Sequence, residues 1–149
     1  MTTSTSTSTS LTSTPAATGK TLRISLWIAQ ILLAFVFCAA GMTKLTTPIA
    51  ALSQMMPWTG QYSENFVRII GLIDIAGGLG MLLPALTRIL PSMGILATAA
   101  SIVLQLLAIA FHSSRGELSV LPLNFVLLAL CVFVLWGRSK RVPILPRTL

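Results

Sequence analysis

The side chain in this sequence that is best suited to carry out chemistry is an acid inside an apolar stretch. Asp74 is the single charged residue of the segment IIGLIDIAGGLGMLLP, residues 69–84. An ionisable group in a bilayer-length segment is expensive to bury and points to a function. Its carboxyl group can bind a proton, a cationic group or the polar head of a ligand. In the alternative interpretation, Asp74 bonds to Gln105 or Lys44 and only pins helices together.

Other polar side chains fall at a similar depth and predict a pocket around Asp74. They are Gln105, Lys44, His112 and Asn124. At about 1.5 Å per residue, a helix starting at Phe66 places Asp74 about 12 Å from its outer end. A helix ending at Phe111 places Gln105 roughly 9 Å from the same boundary. The pocket is therefore predicted in the outer half of a helical bundle, and Gln30, near the inner end, is the exception.

Each lesser contributor to this pocket also has a simpler interpretation. Lys44 stands at a helix end, where a lysine can extend to the interface. His112, at a boundary, is typical of a solvated side chain. Asn124, close to Pro122, can cap the start of a helix.

Four glycines surround Asp74 in the sequence and predict close helix packing. Gly71 and Gly78 share a helical face with Asp74, Gly77 lies at its margin, and Gly80 follows. Small residues let a neighbouring helix approach closely, so we expect the acid to face the bundle interior and not lipid.

No motif of a soluble enzyme or metal site is present. The chain has one histidine, three acids and two cysteines, and the cysteines, Cys38 and Cys131, lie in apolar runs without a C-x-x-C spacing. We interpret both as packing residues. We predict no metal and no bound cofactor. The sequence leaves catalysis open and favours no catalytic activity of the chain's own.

The composition indicates that a bilayer is the solvent. The chain has 149 residues, 54% hydrophobic and 9% charged, and its mean hydropathy is +0.88. A soluble domain carries about 25% charged residues. The net charge of +7 comes from basic residues that flank apolar runs. This arrangement favours topology signals over a nucleic-acid interface, so no nucleic-acid partner is predicted.

Four apolar segments each reach the ~20 residues needed to cross a hydrocarbon core. They are Ile24–Thr43, Ile69–Thr87, Ile89–Ser114 and Leu118–Gly137. Backbone groups must be satisfied internally in lipid, so each segment is predicted to be a helix. The predicted fold is all-α, an antiparallel bundle of four transmembrane helices forming one domain, residues 22–138.

Prolines and aromatic residues mark the connections. Pro84 is predicted to end the second span, whereas Pro91 and Pro122 suit the first turns of the third and fourth. In the long connection, residues 49–56 are predicted to form a short interfacial helix. Aromatic side chains are expected at the headgroup level. They are Trp58 and Tyr62 on one side and Trp27 and Trp136 on the other.

The tails and the flanking charges predict the orientation. Residues 1–21 form a Ser/Thr-rich tail expected to be disordered, and residues 139–149 form a basic cytoplasmic tail. With the N-terminus inside, the inner side holds seven Lys and Arg and the outer side three. The positive-inside rule then places both termini in the cytoplasm and the chain in the cell membrane. A cleavable signal ending near Cys38 is the alternative, but the apolar run exceeds the 7–15 residues typical of such signals.

Several of these motifs occur together in one known family. GMTKL ends the first span at residues 41–45, GLIDIAGGLG occupies residues 71–80, His112 closes the third span and Asn124 opens the fourth. From about Leu22 to Arg138, the chain resembles the DoxX-like family. This resemblance implies a small four-helix membrane protein, in bacteria usually of the cytoplasmic membrane. Some relatives are associated with sulfur oxidation to quinone or with membrane-bound oxidative-stress complexes, and the family more often carries Glu at the position of Asp74.

We therefore expect an accessory or ligand-binding membrane subunit with a polar intramembrane pocket. Its expected partners are the lipid bilayer and other membrane or redox proteins. The first alternative is a membrane subunit of a quinone-linked oxidoreductase, which predicts a lipid-accessible slot beside the pocket and a quinone as cofactor. The second is a small-molecule transporter, although the inverted repeats and broken helices of such folds are not evident.

Overall fold

Four long helices and one short helix make up the fold. The computed structural model describes residues 15–147, and its α-helices are α1 Pro15–Thr46, α2 Ile49–Met55, α3 Glu64–Thr87, α4 Pro91–Ser114 and α5 Leu121–Trp136. Four helical segments are long and apolar enough to cross a membrane: Gly19–Thr46, Glu64–Thr87, Pro91–Ser114 and Leu118–Arg141. The predicted all-α fold with four membrane-spanning helices is confirmed.

The long helices form a closed antiparallel ring. α1 packs on α3, α3 on α4, α4 on α5, and α5 returns to α1. We call the end where α1 ends and α3 begins the α2 end, and the opposite end the terminal end. Large apolar side chains cover much of the outer surface, with Phe35 70% and Leu107 63% exposed. An apolar surface of this kind is suited to lipid and not to water.

Glycines bring α1 and α3 into backbone contact. A Cβ atom added to Gly41 would lie 2.5 Å from the carbonyl oxygen of Gly71, closer than real Cβ atoms approach. Gly78 also packs on α1, whereas Gly77 and Gly80 pack on α4. The predicted packing glycines of α3 thus serve two neighbouring helices.

The first helix begins earlier in the chain than predicted. α1 begins at Pro15, so residues 15–21 are helical and do not belong to a disordered tail. The physical reason is that proline suits the first turn of a helix and alanines, which follow it, are the best helix formers. The rest of the predicted tail, residues 1–14, lies outside the described residues.

Pro84 lies inside α3, so the prediction that it ends the helix is wrong. The proline ring removes one backbone hydrogen-bond donor, but only one turn of α3 follows Pro84. The Thr87 hydroxyl donates to the carbonyl of Leu83 at 2.8 Å, and the N–H of Arg88 donates to the carbonyl of Pro84 at 3.0 Å. The helix ends at Arg88, which adopts the left-handed conformation with φ 60°. Prolines do lie in the first turns of α4 and α5, as predicted.

A short helix and a 3-10 turn cover the α2 end. The predicted short helix is present as α2, and a 3-10 turn, Pro57–Gly60, follows it. Trp58 is only 8% exposed and packs with Leu52 and Val67. Its ring also meets Phe111 edge-on, with 5.9 Å between centroids. The ring of this tryptophan, which was expected at the headgroup level, fills the protein interior.

The C-terminal segment folds back across the terminal end. A π-helical turn, Gly137–Arg141, continues α5 into the predicted basic tail. The backbone N–H of Arg147 then donates to the carbonyl of Arg88 at 3.2 Å. Residues 142–147 therefore return to the link between α3 and α4.

Candidate functional site

A buried ion pair joins α1 to α3. Lys44, in the last turn of α1, donates from Nζ to Oδ2 of Asp74 at 2.8 Å, and each side chain is 10% exposed. The Gly41–Gly71 contact one turn away holds the two helices close enough for this reach. Lys44 does not extend to the interface, so that interpretation is wrong. The pair carries no net charge when both groups are ionised.

Arg68 fixes the position of Lys44 through the backbone. The Nη1 atom of Arg68 donates to the carbonyl of Lys44 and, at 2.9 Å, to the carbonyl of Thr47. Its Nη2 atom donates to Oε1 of Glu64 at 2.8 Å, one helical turn earlier in α3. Cationic side chains stabilise helix C-termini by binding the last carbonyls. Arg68 therefore ties the start of α3 to the end of α1.

All five polar residues of the predicted pocket line one cavity. Its volume is about 350 Å³, within the 300–1,000 Å³ of ligand sites. The five are Asp74, Gln105, Lys44, His112 and Asn124. Apolar side chains of α1, α4 and α5 and the aromatic ring of Trp58 complete most of the walls, whereas α3 contributes Asp74. The structure thus places a polar cluster inside an otherwise apolar enclosure.

Two amide groups in this cavity have no partner within the described residues. Gln105 is 4% exposed, and neither its Nε2 atom nor the Nδ2 atom of Asn124 has a hydrogen-bond partner there. Of the two partners considered for Asp74, Lys44 is bonded to it, and a bond from Gln105 is absent from the described contacts. A buried unpaired donor costs about 1–3 kcal/mol. Both atoms are hydrogen-bond donors, so the cavity is suited to a ligand that carries acceptors.

An acid from the α4–α5 link completes the cavity wall. Nδ1 of His112 lies 2.6 Å from Oε2 of Glu117, and Arg115 donates from Nε to Oε1 of Glu117 at 2.9 Å. The imidazole is 17% exposed, so the solvated interpretation of His112 is wrong. Although burial opposes ionisation of Glu117, the bonds from His112 and Arg115 hold the pKa of Glu117 below its usual value.

The sequence analysis did not identify Glu117 as part of this cluster. The signal was available, because Glu117 is one of three acids in the chain and follows Arg115 by two residues. Arg115 also donates to Oε1 of Gln61 at 2.7 Å, so it joins the α4–α5 link to the turn after α2. Within residues 15–147, no group of three or more His, Cys, Asp or Glu side chains is placed to hold a metal ion.

The part of the chain that holds this site matches a known family. A family model described as the DoxX-like family matches residues 28–134. The chain belongs to the DoxX-like family. The matched range contains every residue of the predicted pocket. Comparison of this DoxX-like protein with curated proteins and with solved structures finds no match.

A second, apolar cavity lies beside the polar one. Its volume is about 450 Å³, and it shares four wall residues with the polar cavity: Trp58, Leu104, Ala108 and His112. Phe66 and Leu107, which also line it, are 42% and 63% exposed. In a membrane this cavity would open toward lipid tails.

Proposed function

We propose that this DoxX-like protein is a membrane-embedded binding subunit for the polar head of a neutral, lipid-soluble molecule. The observation that carries this proposal is the unpartnered amide of Gln105 in the polar cavity. A bound carbonyl or ether oxygen would accept from that amide and recover the penalty of its burial. The chain then acts as an accessory subunit, and a partner protein in the membrane uses the bound molecule.

The charges around the cavity support a neutral ligand. Lys44 already neutralises Asp74, and Arg115 already engages Glu117. A charged ligand would have to displace one of these partners and leave a buried charge unpaired, which typically costs several kcal/mol. A neutral head with acceptor oxygens needs no such exchange.

A quinone is the ligand class that the two cavities favour together. Its two carbonyl oxygens are acceptors, and Gln105 and Asn124 each offer a donor without a partner. The apolar cavity past His112 suits an isoprenoid tail. We infer that Gln105, Asn124 and His112 would hold the head. When bound, a quinone supplies two-electron, two-proton redox chemistry, and the chain would then be the membrane subunit of a quinone-linked oxidoreductase.

Thermal unfolding of the purified protein tests the binding proposal. The probe is a short-tailed ubiquinone analogue, and the control is an alkylbenzene with the same tail and no carbonyl groups. We expect the quinone to raise the Tm by several degrees and the alkylbenzene to leave it unchanged, because only the quinone accepts hydrogen bonds. Equal shifts from both, or no shift at saturating quinone, would contradict the proposal.

A glutamine variant locates the effect. Gln105→Leu removes the unpaired donor, so we expect it to leave the Tm of the free protein unchanged or higher. The same variant should abolish the shift caused by quinone. Gln54→Leu is the matched control, since Gln54 is exposed on α2 away from the cavity. A quinone shift that persists in Gln105→Leu would place the ligand elsewhere.

We further infer that the terminal end faces the cytoplasm of a cell membrane. Seven cationic residues belong to this end: Lys20, Arg23, Arg88, Arg138, Lys140, Arg141 and Arg147. The α2 end holds three, Lys44, Arg68 and Arg115. An excess of Lys and Arg is typical of cytoplasmic loops. A reporter fused after Leu149 should be active only inside the cell, and an external reporter would overturn this orientation.

A further inference from the structure

An arginine at the terminal end is buried without an acidic partner. Arg138 follows α5 directly and is 5% exposed. Its Nε atom donates to Oε1 of Gln30 at 2.6 Å, and its guanidinium lies 4.9 Å above the ring centroid of Trp27. Its Nη2 atom is buried and has no hydrogen-bond partner within the described residues. The sequence analysis treated this arginine only as a topology signal.

Gln30 holds the guanidinium in place. Its amide nitrogen donates to the carbonyl of Met81 at 3.1 Å, while its oxygen accepts from Arg138. Both functional atoms of this side chain are therefore engaged, and Gln30 is itself 2% exposed. Gln30 is a positioning residue that fixes the direction of Arg138 and supplies no charge to neutralise it.

No side-chain carboxylate of the chain balances Arg138. The sequence contains three acids, and all three are paired with cationic or imidazole groups at the α2 end: Asp74, Glu64 and Glu117. A buried arginine without a carboxylate partner is suited to an anion from outside the chain's own side chains.

A cavity beside Arg138 provides room for such an anion. It has a volume of about 130 Å³ and is lined by Arg138, Gln30 and the first turn of α4. That volume is several times the roughly 30 Å³ that one water molecule takes up in the liquid. The first turn of α4 contributes Pro91, Ser92 and Gly94 to the wall.

The first turn of α4 is itself suited to negative charge. Pro91 has no backbone N–H, and the N–H of Met93 already donates to the carbonyl of Leu90 at 2.9 Å, so in this turn the N–H of Ser92 is the one left for a ligand. No side chain caps this helix of 24 residues. The helix dipole adds partial positive charge at the same point. A guanidinium without a carboxylate partner and the N-terminus of α4 thus line the same cavity.

We propose that this cavity binds a phosphate group, with Arg138 and the N-terminus of α4 as its ligands. The surroundings favour the phosphate of an anionic phospholipid. Leu90 and Met93 flank the first turn of α4 and are 64% and 49% exposed, so acyl chains have apolar surface beside the headgroup. Basic pockets between membrane helices are common binding sites for anionic headgroups.

Lipid retention tests the proposal and separates lipid from free phosphate. The full chain is purified in mild detergent with equal amounts of phosphatidylglycerol and phosphatidylcholine, and the retained lipid is measured by native mass spectrometry. Both lipids carry a phosphate, but the quaternary ammonium of phosphatidylcholine would place a second cation near Arg138, so we expect at least about ten-fold preference for phosphatidylglycerol. Equal retention of the two lipids by the wild-type protein would overturn the assignment to an anionic lipid.

The second arm uses inorganic phosphate alone. Phosphate is titrated into the lipid-free protein at constant ionic strength with chloride as the balancing anion, and the Tm is recorded. A saturable shift in this arm together with equal lipid retention supports the phosphate site and assigns it to a free anion. No shift in this arm and no lipid preference would together overturn the site.

Matched charge variants assign the effect to Arg138. Arg138→Gln removes the buried guanidinium, and Lys140→Gln removes an exposed charge two residues away. We expect the first to lose about ten-fold in phosphatidylglycerol preference and the second to stay within two-fold of wild type. Arg138→Lys, which keeps the charge but loses the bond to Gln30, should be intermediate. If Arg138→Gln and Lys140→Gln retain phosphatidylglycerol equally well, the assignment to Arg138 is wrong. If Arg138→Gln does not fold, the two experiments on the wild-type protein still decide the proposal.

Discussion

Removing one member of the Lys44–Asp74 pair should destabilise the bundle far more than removing both. At an effective dielectric constant of about 20, unit charges 2.8 Å apart attract by about 6 kcal/mol. Desolvation of two side chains that are each 10% exposed offsets most of that attraction, at several kcal/mol per ion. The net contribution of the pair is therefore small, whereas a single survivor would be a buried charge without a partner.

The expected free energies follow from that asymmetry. Asp74→Asn leaves Lys44 buried and unpaired, and Lys44→Met likewise leaves Asp74 buried and unpaired. Each single variant should lose about 3–5 kcal/mol of unfolding free energy. The double variant should lose less than either, because no buried charge remains. The coupling energy between the two sites should therefore be several kcal/mol, above the range usual for contacting residues.

Unfolding by denaturant in mild detergent measures all four free energies. Glu64→Gln is the matched control, since Glu64 lies on the same helix but is 61% exposed, and it should change stability by no more than about 0.5 kcal/mol. A polar bond between membrane helices averages only about 0.6 kcal/mol. A coupling energy of that size, or Asp74→Asn unfolding like wild type, would refute the reasoning and leave Asp74 as a minor helix contact.

Three further substitutions address the groups around this pair. Arg68→Met should destabilise by about 1–3 kcal/mol in the same unfolding assay, because it leaves the last carbonyls of α1 without their donor, and wild-type stability in that variant would contradict the role. Glu117 has a lowered pKa in the fold. Its contribution to the free energy of unfolding is therefore present above its usual pKa and is lost as the pH falls through its lowered pKa. Glu117→Gln should therefore reduce stability at neutral pH and converge with wild type in acid, and parallel pH profiles would argue against it. Gly41→Ala places a Cβ atom 2.5 Å from a backbone oxygen and should cost about 1–3 kcal/mol, whereas Gly19→Ala, with nothing within 4 Å, should be neutral or stabilising.

The membrane-spanning helices could be predicted because lipid imposes a simple rule. A chain segment in hydrocarbon must be long, apolar and helical, and the four segments satisfy that rule by composition alone. Their ends are set by finer effects. Pro84 breaks one hydrogen bond near a helix end where the loss is small, so α3 continues to Thr87.

The polar residues could be placed at a common depth, but their pairing could not be read from the sequence. Depth follows from the helical rise, which is fixed. Pairing depends on which helices are neighbours and on the reach of each side chain. Lys44 reaches Asp74 because glycines draw α1 against α3. Gln30 and Arg138 are 108 residues apart, and no local pattern relates them.

The two ends of the bundle present opposite chemical requirements, and the distribution of acids is the cause. At the α2 end every side-chain carboxylate has a partner, so the cavity there is electrically balanced and lacks only acceptors for its amide donors. At the terminal end the cations have no side-chain carboxylate, so the cavity there is suited to an anion. A neutral head with oxygen acceptors satisfies the first cavity and would leave Arg138 uncompensated in the second. A phosphate satisfies the second and would disrupt the Lys44–Asp74 pair in the first. The two proposed ligands are therefore not interchangeable, and each variant that removes one site should leave binding at the other unchanged.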